Sequence, residues 1–289
     1  MRLSTFSIVA CDLEAQEWGV AVQSKFLAVG AIVPWARAGV GAVATQSYAN
    51  VSFGSRGLEL MAGGLSAPEA LEKLLAADEG RARRQVGLVD ARGNPATFTG
   101  DECHDWAGGL TEQGYAAQGN ILVSAATVEA MARTFQQAGG ELADRLVAAL
   151  AAGQAAGGDR RGKQSAAVLV VRPGGGYGGD NDRYLDLRVD DDPEPIERLK
   201  ALVDLHHLFF KPPDPGEMVP VEGERAREVQ LILRWAGYYD GPLSGEYDPE
   251  TQRALRDLVG NENFEERFDE EQGLISRQVL DILRQKFGR

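Results

Sequence analysis

The chain is poor in the residues on which many catalytic and metal sites are built. It has two cysteines, Cys11 and Cys103, and three histidines, His104, His206 and His207, in 289 residues. With no CxxC and no Cys/His set, neither a disulfide framework nor a structural zinc site is expected, and both thiols read as reduced. The histidines are placed so that no Ser/His/Asp triad can be assembled from them. Cationic charge is also short: 30 Lys and Arg against 43 Asp and Glu leave a net charge of −13. Such a chain repels phosphate backbones and anionic lipid, and no dense basic tract offsets the average. Nucleic acid is not an expected partner. A membrane is not expected either, because no apolar run approaches the ~20 residues that cross a bilayer, and the N-terminus lacks the pattern of a secretory signal. The expected location is cytoplasmic.

What is present is enough apolar material, 44% of residues, for one large domain and a small one. "TFSIVACD" alternates Phe6, Ile8 and Ala10 against Ser7, Val9 and Cys11, the pattern of a strand covered on both faces. "EAQEWGVAVQSK" turns and returns as a second strand, and "GAIVPWARAGVGAVATQSYA" holds a third and fourth. In "SAPEALEKLLAAD", Ser66 caps a helix, Pro68 sits in its first turn, and Ala70, Leu71, Leu74 and Leu75 form its apolar stripe. "RRQVGLVDARGNPATFTG" reads as a hairpin, "ATVEAMARTFQQA" and "ELADRLVAALAAGQAA" as helices, and "KQSAAVLVVRP" and "RYLDLRVD" as strands. Strands, then helices, then strands again indicate a layered α+β domain over 1–210. "KPPDPGEMVPVEGE", residues 211–224, reads as a linker. Residues 225–289 read as a small all-α domain.

A hydroxyl at the head of a strand is not evidence of catalysis, since threonine is favoured there for its shape. Yet a terminal threonine can pass its hydroxyl proton to its own α-amine, whose pKa near 8 suits neutral pH. The segment from Thr5 to Asn50, "TFSIVACDLEAQEWGVAVQSKFLAVGAIVPWARAGVGAVATQSYAN", carries a resemblance, together with "GNILV", "GDRRGKQSAAVLVV" and "GGYGGDNDRYLDLRVDDDPEPI". They resemble the bacterial domain-of-unknown-function family numbered ten twenty-eight, assigned to the N-terminal nucleophile (Ntn) hydrolases. The resemblance covers about residues 4 to 210. It implies a four-layer αββα sandwich with Thr5 at the nucleophile's position. Met1, Arg2, Leu3 and Ser4 precede Thr5, so the reading requires the Ser4–Thr5 bond to be opened, for instance by the chain's own N-to-O acyl shift. A chain that keeps it is expected to be a non-catalytic relative.

Given that resemblance, Lys25, at the end of the second strand, is expected to tune the Thr5 hydroxyl, with Ser24 sharing the proton path. Asn120 and Asn50 are the expected side-chain donors to an oxyanion. Gln46 is expected to line the pocket. Asp159 and Arg160 lie in a charged loop where an arginine would clamp a substrate carboxylate. No cofactor is required. The cluster Asp180, Asp182, Asp186, Asp190, Asp191 and Asp192 lacks the spacing of a calcium loop, and "RPGGGYGG" lacks that of a phosphate loop, so no metal or nucleotide is expected.

Residues 229–258, with Gly237, Tyr238, Tyr239, Gly241, Gly245, Asp248 and Thr251, resemble a peptidoglycan-binding helical domain. The partners so indicated are a small amide substrate and a peptidoglycan fragment, with a homo-oligomer left open. The leading function is an Ntn-type amidohydrolase cleaving a small linear amide. Its rival is a non-catalytic Ntn-like protein that binds a muropeptide or a protein partner. A metal-dependent hydrolase on the aspartate cluster is a third.

Overall fold

A computed structural model describes residues 5–288. The chain divides into two compact units, Met1–Val203 and Asp204–Arg289.

The N-terminal unit opens with two hairpins, β1 (Thr5–Asp12) with β2 (Glu17–Ser24) and β3 (Pro34–Arg37) with β4 (Gly41–Ser47). Helices α1 (Ser52–Ala62) and α2 (Ala67–Ala76) follow, then the hairpins β5 (Arg84–Asp90) with β6 (Pro95–Thr99) and β7 (Gly108–Glu112) with β8 (Tyr115–Asn120). Helices α3 (Ala126–Gln137) and α4 (Leu142–Ala155), the strands β9 (Ser165–Val171) and β10 (Arg183–Val189), and helix α5 (Pro195–Phe210) come next. The strands form two antiparallel sheets, in the orders β10-β9-β2-β1-β8-β7 and β3-β4-β5-β6.

Three apolar clusters stack these elements into an αββα sandwich. Phe6, Ile8 and Ala10 pack against Met131, Leu146 and Leu150 of α3 and α4. Val9, Cys11, Trp18 and Val20 meet Ala42, Ala44 and Val89 between the sheets. Val43, Val86 and Leu88 carry α1 and α2 through Phe53, Leu58 and Leu74. Each large side chain buried this way contributes ~1.5–3 kcal/mol. The period-two alternation of β1 therefore feeds two different layers, which explains why both its faces are hydrophobic.

Helix α2 follows its sequence signals: Ser66 N–H donates to Glu69 Oε2 (2.8 Å), half of a capping box. Helix α1 does not announce itself, because Val51 stands at its cap and Gly54 and Gly57 interrupt its interior. Gly54 has a packing reason: a Cβ there would lie 2.2 Å from the Trp35 ring. The β7–β8 hairpin is similarly hidden, being built from glycine, alanine, glutamine and threonine with little β-branched character.

The division between units falls inside α5, which corrects the expected linker. Residues 211–224 include β11 (Met218–Pro220), and Val219 and Val221 are buried in the C-terminal core. That unit is helical, with α6 (Gly223–Ala236), α7 (Pro249–Asn261) and α8 (Arg277–Phe287). A small sheet accompanies them, in which β11 and β12 (Phe268–Asp269) flank β13 (Leu274–Ser276). The signature residues of the segment build its turn. The chain leaves α6 through Gly237 at φ 84°, Tyr239 Oη donates to Pro242 O (2.8 Å), and Asp248 accepts the Thr251 N–H at the start of α7 (2.8 Å). Gln230 fastens this turn from α6, accepting from Gly245 N (3.1 Å) and donating to Glu246 O (3.1 Å).

Candidate active site

At one end of the sandwich the layer between the sheets changes from hydrocarbon to amide and hydroxyl. Thr5 heads β1 and pairs with Ser24 on β2 and with Asn120 on β8. In phase with Val9 and Cys11, Thr5 and Ser7 face the second sheet, where Gln46 of β4 and Gln85 of β5 meet them. Thr5, Ser7, Ser24, Gln46, Gln85 and Gln118 are fully buried, and Asn120 is nearly so. Burying such groups is costly unless each is hydrogen-bonded.

A directional network meets that cost. Gln118 Nε2 donates to Ser7 Oγ (2.7 Å), which donates to Gln46 Oε1 (2.6 Å). Gln46 Nε2 donates to Gln85 Oε1 (2.8 Å), which also accepts from Asn120 Nδ2 (2.9 Å). Gln85 Nε2 donates to Gly119 O (2.7 Å) and Thr99 Oγ1 (2.9 Å). Every amide orientation is thereby fixed by its neighbours. Gly87 makes room for it, since a Cβ there would fall 2.2 Å from Gln118 Oε1.

The network holds Thr5 from two sides. Gln46 Nε2 reaches Thr5 O at 3.4 Å, and Thr5 Oγ1 donates to Ser24 Oγ at 3.3 Å. Beyond Asn120 the chain turns through Ile121 in the left-handed region (φ 53°), a strained conformation for a β-branched residue. Two bonds hold it there: Ile121 N–H donates to His104 O (2.9 Å), and Arg160 N–H to Ile121 O (3.1 Å). On the other wall Ser47 ends β4, and the thiol of Cys103 donates to Ser47 Oγ at 3.5 Å. Burial pushes that thiol's pKa up. Arg84 donates to Tyr48 O and pairs with Asp78 (2.6 Å), and its guanidinium holds the Asp78 carboxyl below the usual carboxylate range.

Thr5, Ser24, Gln46 and Asn120 are thus brought together. Four expected residues, Lys25, Asp159, Asn50 and Arg160, are not part of that group. Lys25 is exposed and its ammonium donates to Lys163 O (3.3 Å), with no hydrogen bond to Thr5 among the described residues. Only its backbone ties into the site. Asp159, whose side chain is fully buried, accepts Lys25 N–H at 3.0 Å and pairs with Arg161 (3.1 Å), which also donates to Lys25 O (3.2 Å). Asn50 is committed elsewhere: its Oδ1 accepts from Ser52 N (3.2 Å) and Ser52 Oγ (2.7 Å) at the start of α1. Arg160 is exposed beside Ile121. Ser7, Gln85 and Gln118 were not singled out by sequence. Their signal was present, as polar residues at inward positions of strands whose other inward residues are apolar.

Among the described residues, no group of three or more His, Cys, Asp and Glu side chains is arranged to hold a metal. Asp186 of the acidic cluster pairs with Arg183 (3.3 Å) and Arg188 (2.8 Å). No described helix is long and apolar enough to cross a membrane. The state of Met1–Ser4, on which release of the Thr5 amine turns, lies outside the described residues.

Residues 5–199 match the model of the "Family of unknown function (DUF1028)". The chain belongs to that family. Residues 208–283 match a second model, described as "Putative peptidoglycan binding domain". Among solved structures, the DUF1028 protein SPO2555 from Silicibacter pomeroyi is similar at 32% identity and TM-score 0.64, over 71% of this chain and 89% of that one. Anbu (ancestral beta-subunit) from Yersinia bercovieri aligns at 10% identity and TM-score 0.32, over 69% of this chain and 96% of that one. That likeness carries no argument. No curated protein matches the chain.

Proposed function

We propose that the DUF1028 unit is an Ntn-type amidohydrolase in which Thr5 Oγ1 attacks the carbonyl carbon of a small linear amide. The observation that carries this reading is the placement of Thr5 Oγ1, 3.3 Å from Ser24 Oγ at the very start of β1, in a layer of neutral amides and hydroxyls. With its hydroxyl bonded to another hydroxyl rather than to an imidazole or carboxylate, the proton acceptor is the residue's own α-amine, freed when the Ser4–Thr5 bond opens. The Thr5 proton passes to that amine as the C–O bond forms. Asn120, opposite Thr5 on β8, is the first-choice side-chain donor to the oxyanion. The C–N bond then breaks, the leaving amine takes the proton, and water hydrolyses the ester on Thr5 to restore the hydroxyl.

Intact-mass measurement and a panel of short amides, ureido compounds and lactams test the reading. The expected result is a chain beginning at Thr5, with turnover falling by at least about 10³-fold in Thr5→Ala. Turnover by a chain that retains Met1–Ser4, or by Thr5→Ala, refutes it.

The match at 208–283 favours a second role, in which the C-terminal unit binds a peptidoglycan fragment. Co-sedimentation of the full chain with purified peptidoglycan tests it. If binding is found while Thr5 stays capped and no amide is cleaved, the chain is a binding protein rather than a hydrolase.

A further inference from the structure

The loop between α4 and β9 closes over the end of the β1 ladder. Asp159 bridges to Leu122 just past β8, Arg160 N–H donates to Ile121 O (3.1 Å), and Gln164 N–H donates to Ser24 O (3.1 Å) at the end of β2. Strand β1 lies between β8 and β2, and Thr5 pairs with Asn120 on one side and Ser24 on the other. Residues 159–164 therefore run beside the end of β1 where Thr5 stands.

This strap is cationic in a chain of net charge −13. Not all of its cations are available. Arg161 is taken by the buried Asp159, and Lys163 pairs with Glu194. Asp191 also meets the strap, accepting from Gln164 Nε2 (3.0 Å). Lys25 and Arg160 remain without an ion pair among the described residues. The Arg160 guanidinium is exposed and has no hydrogen-bond partner there, while its backbone is pinned one residue from Asn120. Asp159 does not quench it, because Arg161 approaches that carboxylate through both Nε (3.3 Å) and a terminal nitrogen (3.1 Å).

We infer that the amide substrate carries a carboxylate and that Arg160 is the residue that reads it. This rests on Thr5 as the nucleophile. A guanidinium offers two parallel N–H groups that match a carboxylate in its plane, whereas an ammonium offers a point charge. The Arg160 backbone is bonded to Ile121, the residue after Asn120, and Asn120 pairs with Thr5, so a carboxylate read by Arg160 would be held at the end of the sheet where Thr5 stands. The substrate class is then an N-acyl or N-carbamoyl amino acid or a similar anionic amide, in preference to a neutral one.

Titrating the full chain with N-acetylalanine and with N-acetylalaninamide, which differ in the carboxylate, tests the inference by calorimetry without requiring turnover. The acid is expected to bind at least about tenfold more tightly than the amide, with a preference that weakens as salt rises. Arg160→Gln should abolish the preference with an unchanged melting temperature, and Arg160→Lys should restore part of it. Equal binding of the two probes, no binding of either, or a preference unchanged in Arg160→Gln overturns the inference. The two readings fail separately. Thr5-dependent hydrolysis with no effect of Arg160→Gln on binding or KM removes the carboxylate site and leaves the nucleophile. An Arg160-dependent preference for the acid in a chain that cleaves no amide leaves the anion site and removes the hydrolase.

Discussion

Asn120 on β8 and Gln85 on β5 join the two sheets by one hydrogen bond, Nδ2 to Oε1 at 2.9 Å, and the same oxygen accepts from Gln46 at 2.8 Å. Gln85 is thus the knot through which the wall beside Thr5 is tied to the opposite sheet. Replacing it with leucine, close in volume, removes the acceptor shared by Gln46 Nε2 and Asn120 Nδ2 and the donor to Gly119 O and Thr99 Oγ1. An unsatisfied buried group costs ~1–3 kcal/mol. Gln85→Leu is therefore expected to lose about 3 kcal/mol or more in urea unfolding. An unchanged midpoint would show that the network does not hold the sheets together.

Asp90, at the end of β5, gives the N-terminal unit a pH dependence. Burial pushes its carboxyl up, but bonds from Asn94 Nδ2 (2.9 Å) and from the N–H groups of Arg92 (2.8 Å), Ala67 (3.1 Å) and Asn94 (3.0 Å) outweigh burial and hold it below its ordinary value. A carboxyl depressed in the folded state contributes stability above the unfolded value of 3.8 and loses it as pH falls through the folded value. Ala67 opens α2, so the charge also sits at a helix N-terminus. Asp90→Asn should cost about 1–3 kcal/mol at pH 7. In melts from pH 7 to 2, the gap between variant and parent should close only below about pH 4; a constant gap would be evidence against the charge.

How far the sequence could be read followed from where side chains point. Strict alternation revealed β1 and its two buried faces, and Ser66 with Pro68 revealed α2. Helix α1 was hidden because its glycines serve packing rather than helix propensity, Gly54 against the Trp35 ring and Gly57 against Val43. In the site, pairing of β1 with β2 follows from a short hairpin, so Thr5 and Ser24 could be set side by side from sequence. Lys25 is the next residue, but alternation turns it to the opposite side of the strand from Ser24. Asn50 lies three residues past β4, where a short amide closes a turn at the start of α1. Gln85 and Gln118 form their network only when two sheets stack, and no local pattern in either strand reports the opposite one.

In the C-terminal unit, the buried Arg267 supplies a cap that no local pattern announces. Its Nε donates to Leu208 O (2.9 Å) and a terminal nitrogen donates to His207 O (2.6 Å), satisfying carbonyls in the last turn of α5, while Glu217 lies 3.4 Å from its other terminal nitrogen. Arg267→Met keeps apolar bulk but removes the guanidinium donors to both carbonyls, leaving His207 O with the Lys211 N–H alone. The expected cost is about 2–4 kcal/mol, read as earlier amide exchange in α6, α7 and α8. Protection equal to that of the parent would show that water replaces the guanidinium without loss.

Cys11 offers a test of the intersheet core from the opposite end. Burial first, and then Asp12 and Asp90, push its thiol up to about 11 from 9.0. At pH 8 about one molecule in a thousand then carries the thiolate, the form that reacts. Iodoacetamide should label neither Cys11 nor Cys103 in the folded chain, and both in urea. The same shift has a stability consequence with a definite sign. Between about pH 9 and 11 the unfolded thiol ionises while the folded one resists, so the unfolded state binds fewer protons and stability falls as pH rises. Cys11→Ala removes that contribution, so its unfolding free energy should decline less steeply than the parent's across this window, by about 2 kcal/mol in total. Parallel slopes for parent and variant would mean that water reaches Cys11 and that this end of the sandwich is looser than its packing implies.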